Sequence, residues 1–213
     1  AQFSNSLFFN RNAKVFSAEY SWLQQESKML LASGYDARSL HKNQLNLRVN
    51  ISTQFAFETT LSTGQSAALA DYTSGRNFLI NFRELKPQLI YQYGSKVRLS
   101  LIGSMGTKVN DLQLGGQTAL SKSLEATWKF NQSEKGSLNG SFKYVNFDFT
   151  GSALSAVGYE MLEGLRPGTN WTWSLSFQKI VGKNLQLSLN YGGRLMEGLP
   201  VVHTGGMELR ANF

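Results

Sequence analysis

The sequence predicts an all-β fold, an antiparallel up-and-down transmembrane β-barrel, and three features of its 213 residues carry that expectation. The first is a period of two sustained over long stretches, which gives each strand one apolar and one polar face. The second is a charged fraction of only 16%, where a soluble domain carries about a quarter. The third is the makeup of the polar face, which is Asn, Ser, Gln, Thr and Gly rather than Lys and Glu. That composition suits a crowded, hydrated interior better than an open surface. A soluble β-sandwich or lipocalin-like barrel would use strands of about 5–6 residues, much shorter than these.

Along the chain, residues 1–42 hold one strand at Phe16, Ala18, Tyr20 and Trp22, with room for a second at 3–10 or 29–35. Within a strand read over 43–61, the stretch from 45 to 61 settles the period: Leu45, Leu47, Val49, Ile51, Phe55, Phe57 and Leu61 alternate with Asn46, Arg48, Asn50, Ser52, Gln54, Glu58 and Thr60. Read as one strand at about 3.3 Å per residue, this stretch is about 55 Å long and, tilted near 40°, covers a bilayer with its headgroups. Between 77 and 92, Phe78, Ile80 and Phe82 change phase to Leu85, Leu89 and Tyr91, which reads as a bulge near Pro87. Residues 96–109 follow with Val97, Leu99, Leu101 and Met105 on the apolar face. One register holds from Leu112 to Phe130, so 112–131 reads as a single strand with no hairpin at Ser121-Lys122-Ser123, although Lys122 sits on the apolar face. In 137–149 a second change of phase, at Val145-Asn146 before Phe147 and Phe149, again suggests a bulge. The last three strands are 170–180, 184–194 and 203–213.

Eight strands therefore fit 43–213, and ten fit the whole chain as one barrel domain over 1–213, with eight as the lower count. Short connections at 94–95, 131–136 and 182–183 alternate with longer ones at 62–76, 150–168 and 195–202. Short turns on one rim and long loops on the other are the pattern of outer-membrane barrels, with the short turns periplasmic. An even count places both chain ends at the periplasmic rim.

The ending Gly206-Met207-Glu208-Leu209-Arg210-Ala211-Asn212-Phe213 resembles the C-terminal targeting signal of Gram-negative outer-membrane proteins. Met207, Leu209, Ala211 and Phe213 carry the match as an insertion signal. More broadly, 158–171, 185–194 and 203–206 resemble the C-terminal portions of large outer-membrane proteins from Bacteroidota, the first segment being the most specific. The resemblance covers the C-terminal two thirds best. It implies an integral protein of the bacterial outer membrane that contacts outer-membrane lipid and the barrel-assembly machinery. It also implies that the chain is part of a longer protein.

The chemistry offers little else. With 0 Cys thiol catalysis and thiolate metal sites are excluded, and no cofactor is expected. His41 and His203 are placed at opposite rims, which excludes a paired-His metal site. His203 with Glu160, Glu163 and Glu197 is the one candidate for acid–base work, and loop residues of this kind are ordinarily solvated, so no enzyme is expected. Gly103-Ser104-Met105-Gly106-Thr107-Lys108 lacks the spacing and the following helix of a phosphate loop. The net charge of +7 is scattered rather than gathered in a basic stripe, so nucleic acid is not expected as a partner.

Arg48, Glu58, Arg98, Glu125, Lys129, Lys143, Arg194, Glu208 and Arg210 are expected to line the lumen, where charges must be paired or hydrated. Between 150 and 168, Leu154, Val157, Met161, Leu162 and Leu165 make the loop too apolar for free exposure, so it folds over the mouth as a lid or docks a partner. The expected function is a structural or docking component of an envelope complex, with a largely filled lumen and another envelope protein as partner. The alternative is a small passive, porin-like pore with a mildly anion-preferring lumen.

Overall fold

The computed structural model describes residues 1–11, 15–31, 34–71, 74–132, 135–182 and 185–211. Among these, eleven strands form one sheet in which each pairs antiparallel with its neighbours in sequence. They are β1 (Gln2–Phe9), β2 (Phe16–Leu31), β3 (Gly34–Asn50), β4 (Phe55–Ala70), β5 (Phe78–Tyr93), β6 (Val97–Asn110), β7 (Thr118–Gln132), β8 (Gly136–Thr150), β9 (Gly168–Gly182), β10 (Leu185–Met196) and β11 (Val202–Ala211). One short helix, α1 (Ala156–Met161), interrupts the meander between β8 and β9. The up-and-down all-β architecture is as the alternation predicts, at eleven strands rather than ten.

Two stretches expected to be single strands are not. Residues 43–61 hold the end of β3, a turn at 51–54 and the start of β4, with Arg48 opposite Glu58 and Asn50 opposite Ala56. In this ladder the paired numbers have an even sum, so odd positions face the same side on both strands. The alternation therefore runs through the turn without a break, and hydropathy alone cannot see it. Ser52 makes the turn: its Oγ accepts from the backbone N–H of Gln54 at 3.2 Å and of Phe55 at 3.0 Å. Likewise 112–117 is a connection, with a 3-10 turn at Leu112–Leu114 capped by Asp111, whose carboxylate accepts from Gln113 N–H. The strand proper begins at Thr118 and passes unbroken through Ser121-Lys122-Ser123.

The two expected bulges are also absent. Pairing of β5 with β4 and of β8 with β7 runs without a register shift. Phe78, Ile80, Phe147 and Phe149 change phase because they lie on the other face of the sheet, where α1 and its loop cover them. The hydrophobic pattern follows what covers each face, while the pleat continues beneath it.

The covered face is concave. The short helix and its flanks pack on Ala68 of β4, Phe78 and Ile80 of β5, Ala119 of β7, and Val145 and Phe147 of β8. A flat sheet would spread β4 to β8 over about 19 Å at the usual strand spacing, too far for one and a half helical turns to reach. On the opposite face lie Trp128, Phe130, Phe142, Trp171, Trp173 and Phe177, as expected for a lipid-facing surface. The apolar band there is about nine residues deep on β5 and β6, from Leu85 to Tyr93 and from Val97 to Met105, the depth a tilted strand needs to cross hydrocarbon. Since β2 to β9 are 14–17 residues long, they overhang this band. The overhang carries polar outward residues, among them His41, Gln65 and Asn81, and Lys122 sits at its edge. His41 is thus on the outer face within β3, not at the rim of short turns.

The connections at 71–77, 111–117, 151–167 and 197–201 all lie at the overhanging rim, and 51–54 and 94–96 at the other. Gly94 adopts φ +55, the left-handed conformation that a tight hairpin requires. Eleven is odd, so β1 and β11 point the same way and residues 1 and 211 lie at opposite rims, correcting the expectation that both ends share one. β1 pairs only with β2 and β11 only with β10 among the described residues, and both are exposed along their whole length.

Candidate functional site

The loop between β8 and β9 turns inward onto the concave face. Ser155 starts α1 by accepting the N–H of Gly158 on its Oγ at 3.0 Å, and that Oγ donates to the Ser152 carbonyl at 2.8 Å. A Cβ at Gly158 would collide with the Ser152 carbonyl, so the tight entry needs glycine there. The helix ends in left-handed residues, Glu163 at φ 57 and Gly164 at φ 76, with Gly164 N–H donating to Tyr159 C=O at 3.0 Å. Buried Asn170 then holds the return turn: its Nδ2 donates to the carbonyls of Arg166 and Gly168 at 2.8 and 3.1 Å, and its Oδ1 accepts from Arg166 N–H.

This framing presents one side of the loop to the wall. Met161 and Leu162 are both 0% exposed and Val157 is 4% exposed. Met161 and Val157 pack with Ala68, Phe78, Ile80 and Ala119, while Leu162 packs with Val145 and Phe147, flanked by Phe149, Ala153 and Leu165. Leu154, by contrast, is 93% exposed and takes no part.

A polar latch adds to the apolar contact. Lys108 Nζ, from the inner face of β6, donates to the Met161 carbonyl at 3.2 Å and to Glu163 Oε1 at 2.9 Å. Burial pushes the Glu163 carboxyl up, but the charge and hydrogen bond of Lys108, with Lys143 and Lys86 farther off, outweigh it and hold the group below its ordinary range. On the sequence Lys108 reads as one more polar residue near the end of the 96–109 strand. The signals for this wall were the phase changes at Phe78–Phe82 and Phe147–Phe149.

All nine residues expected in the lumen lie on the concave face by register. Arg48 forms an ion pair with Glu58, and Arg210 lies 3.5 Å from Glu208. Glu125 stands opposite Lys143, whereas Arg98 stands opposite Lys129. Arg98, Lys129 and Arg194 form no ion pair among the described residues, so the face is net positive.

The acid–base constellation does not assemble. His203 faces outward, between Trp173 and Tyr191, with its Nδ1 2.9 Å from the Tyr191 hydroxyl. Glu163 is held by Lys108 on the inner side, and Glu197 accepts the N–H of Thr169 at 2.6 Å. Of the insertion signal, Met207, Leu209 and Ala211 share the outer face of β11, and Phe213 lies outside the described residues.

No family model and no curated protein matches the chain. Solved structures do. The outer-membrane-expressed OmpT of Vibrio cholerae aligns with a TM-score of 0.52 at 7% identity, over 84% of this chain and 54% of that one. A structure titled CymD monoaromatic hydrocarbon channel aligns at 0.49 and 10% identity, over 97% of this chain and 77% of that one. The chain spans about half the length of the OmpT structure. What it shares with that structure is the fold of an outer-membrane β-barrel.

Proposed function

We propose that this chain is an integral wall segment of a bacterial outer-membrane barrel whose concave side is occluded by its own loop, and that it serves as a structural or docking component of an envelope complex. The observation that carries this is the seating of Val157, Met161 and Leu162 against the inner faces of β4 to β8. A freely conducting pore keeps its lumen clear. Here an apolar seat and the Lys108–Glu163 latch hold the loop against the concave wall, which supports an occluded reading over an open one. The connections at 71–77, 111–117 and 151–167 lie at the cell-exterior rim in this orientation, and Leu154 and Tyr159 stay exposed on the seated loop, where an envelope partner would meet them.

Single-channel recording and co-purification of Leu162→Ser with Leu165→Ser test the proposal. Low conductance in the parent, with loss of a co-purifying envelope protein in the variant, is the expected result. A parent that conducts freely would favour the pore reading instead.

A further inference from the structure

On the outward face, at the upper edge of the apolar band, a groove of about 590 Å³ runs across β3 to β6. Its floor is the backbone at Gln44, Ser62, Glu84 and Gly106. The wall on the membrane side is Leu45, Leu61, Leu85 and Met105, one from each strand and in register. The wall on the loop side is Asn43, Thr63, Arg83 and Thr107, also one per strand. Tyr20 and Leu120 close the two ends.

The charge on this surface is one-sided. Asp36, Glu58 and Glu84, the carboxylates of β3 to β6, all lie on the concave face by register. Arg83 therefore stands on the outer face with no ion pair among the described residues, and both of its cross-strand neighbours, Thr63 and Thr107, offer hydroxyls. A guanidinium at the edge of hydrocarbon, flanked by two hydroxyl donors and with no carboxylate on that face of β3 to β6, the nearest outward one being Asp148 opposite Leu120 at the groove's far end, is matched by a phosphate.

We propose that this groove binds a phosphate-bearing glycolipid of the outer leaflet, its phosphate on Arg83 between Thr63 and Thr107 and its acyl chains on Leu45, Leu61, Leu85 and Met105. The inference rests on the outer-membrane orientation proposed above, which puts the overhanging rim outside. The apolar wall is four strands, about 14 Å, wide, and each strand continues downward with further apolar residues. That width accommodates more acyl chains than the two of a phospholipid.

The test uses the full chain refolded into phosphatidylcholine vesicles containing either diphosphorylated lipid A, its dephosphorylated form, or phosphatidylglycerol, followed by native mass spectrometry of the detergent-released protein. The expected result is a lipid A adduct on the parent that falls about tenfold in Arg83→Gln, the loss of one charge-assisted contact, and is retained in Arg98→Gln, whose side chain faces inward. An undiminished adduct in Arg83→Gln, or equal loss in both variants, overturns the site. Equal adducts with phosphatidylglycerol overturn the glycolipid as its occupant, and equal adducts with dephosphorylated lipid A overturn the phosphate contact on Arg83. A chain that fails to insert into any vesicle overturns the membrane reading itself, and the site with it.

Discussion

Adjacent residues of β9 offer a direct test of which face meets lipid. Leu175 points outward near the middle of the apolar band, with Trp173 and Phe177 along its strand and Gly140 and Tyr191 across from it. Ser174 points inward, its hydroxyl 2.8 Å from that of Ser141. In Leu175→Arg the guanidinium meets only aromatic and apolar neighbours. The nearest polar outward position on its strand, Lys179, is four residues away, about 13 Å along the chain and beyond an arginine's reach. The cost is then the full midplane value, about 2–4 kcal/mol. Ser174→Arg forfeits one exposed hydrogen bond, about 1 kcal/mol, and sets its charge in hydrated space. The two variants differ by one residue number, so composition and local propensity cancel. Denaturant titration of folding in vesicles, read by tryptophan fluorescence, should show Leu175→Arg less stable by about 1–3 kcal/mol, the difference of those two costs. Equal stabilities, or Ser174→Arg as the weaker variant, would mean that the assignment of inside and outside is wrong.

Three further outcomes are expected. Met161→Ser with Leu162→Ser removes about 3–6 kcal/mol of apolar burial, so amides of 151–167 should exchange with deuterium far faster while those of β5 and β8 remain protected; unchanged loop protection would contradict the seating of α1. Because Glu163 is held below its ordinary range by Lys108, the latch is fully formed above that range and lost as pH falls through the lowered value. Loop exchange should therefore rise on acidification in the parent and lose that pH dependence in Glu163→Gln. Replacing Phe213 by Asp should lower the amount of folded protein in outer membranes while leaving refolding in vesicles largely intact, as quantified by heat-modifiability on gels.

The alternation in the sequence reports the meander and the choice of faces well, because lipid on one side and a hydrated interior on the other impose opposite demands at every second residue. It reports strand ends poorly. The β3–β4 turn is invisible since Asn50 and Ala56 pair with an even sum, and Leu112 and Leu114 keep the phase of β7 by chance while lying in a separate turn. The apolar loop was legible as something needing cover. What covers it was not, because Phe78, Ile80 and Phe147 are long-range neighbours whose inward turn looks locally identical to a bulge. Lys108 carried no local mark at all; its partner at Glu163 is 55 residues away.

The direction shared by β1 and β11 also limits how this wall can be closed. In hydrocarbon each open backbone N–H and C=O costs several kcal/mol, and among the described residues the outer edges of β1 and β11 have no partner strand. Pressing the margins together would seam two strands that both descend, a parallel junction in a wall otherwise antiparallel throughout. Two copies inserted the same way up would repeat that mismatch at both seams, even though twenty-two is an even total. Only an odd number of additional staves, entering between the margins and alternating with them, restores the pattern all the way round.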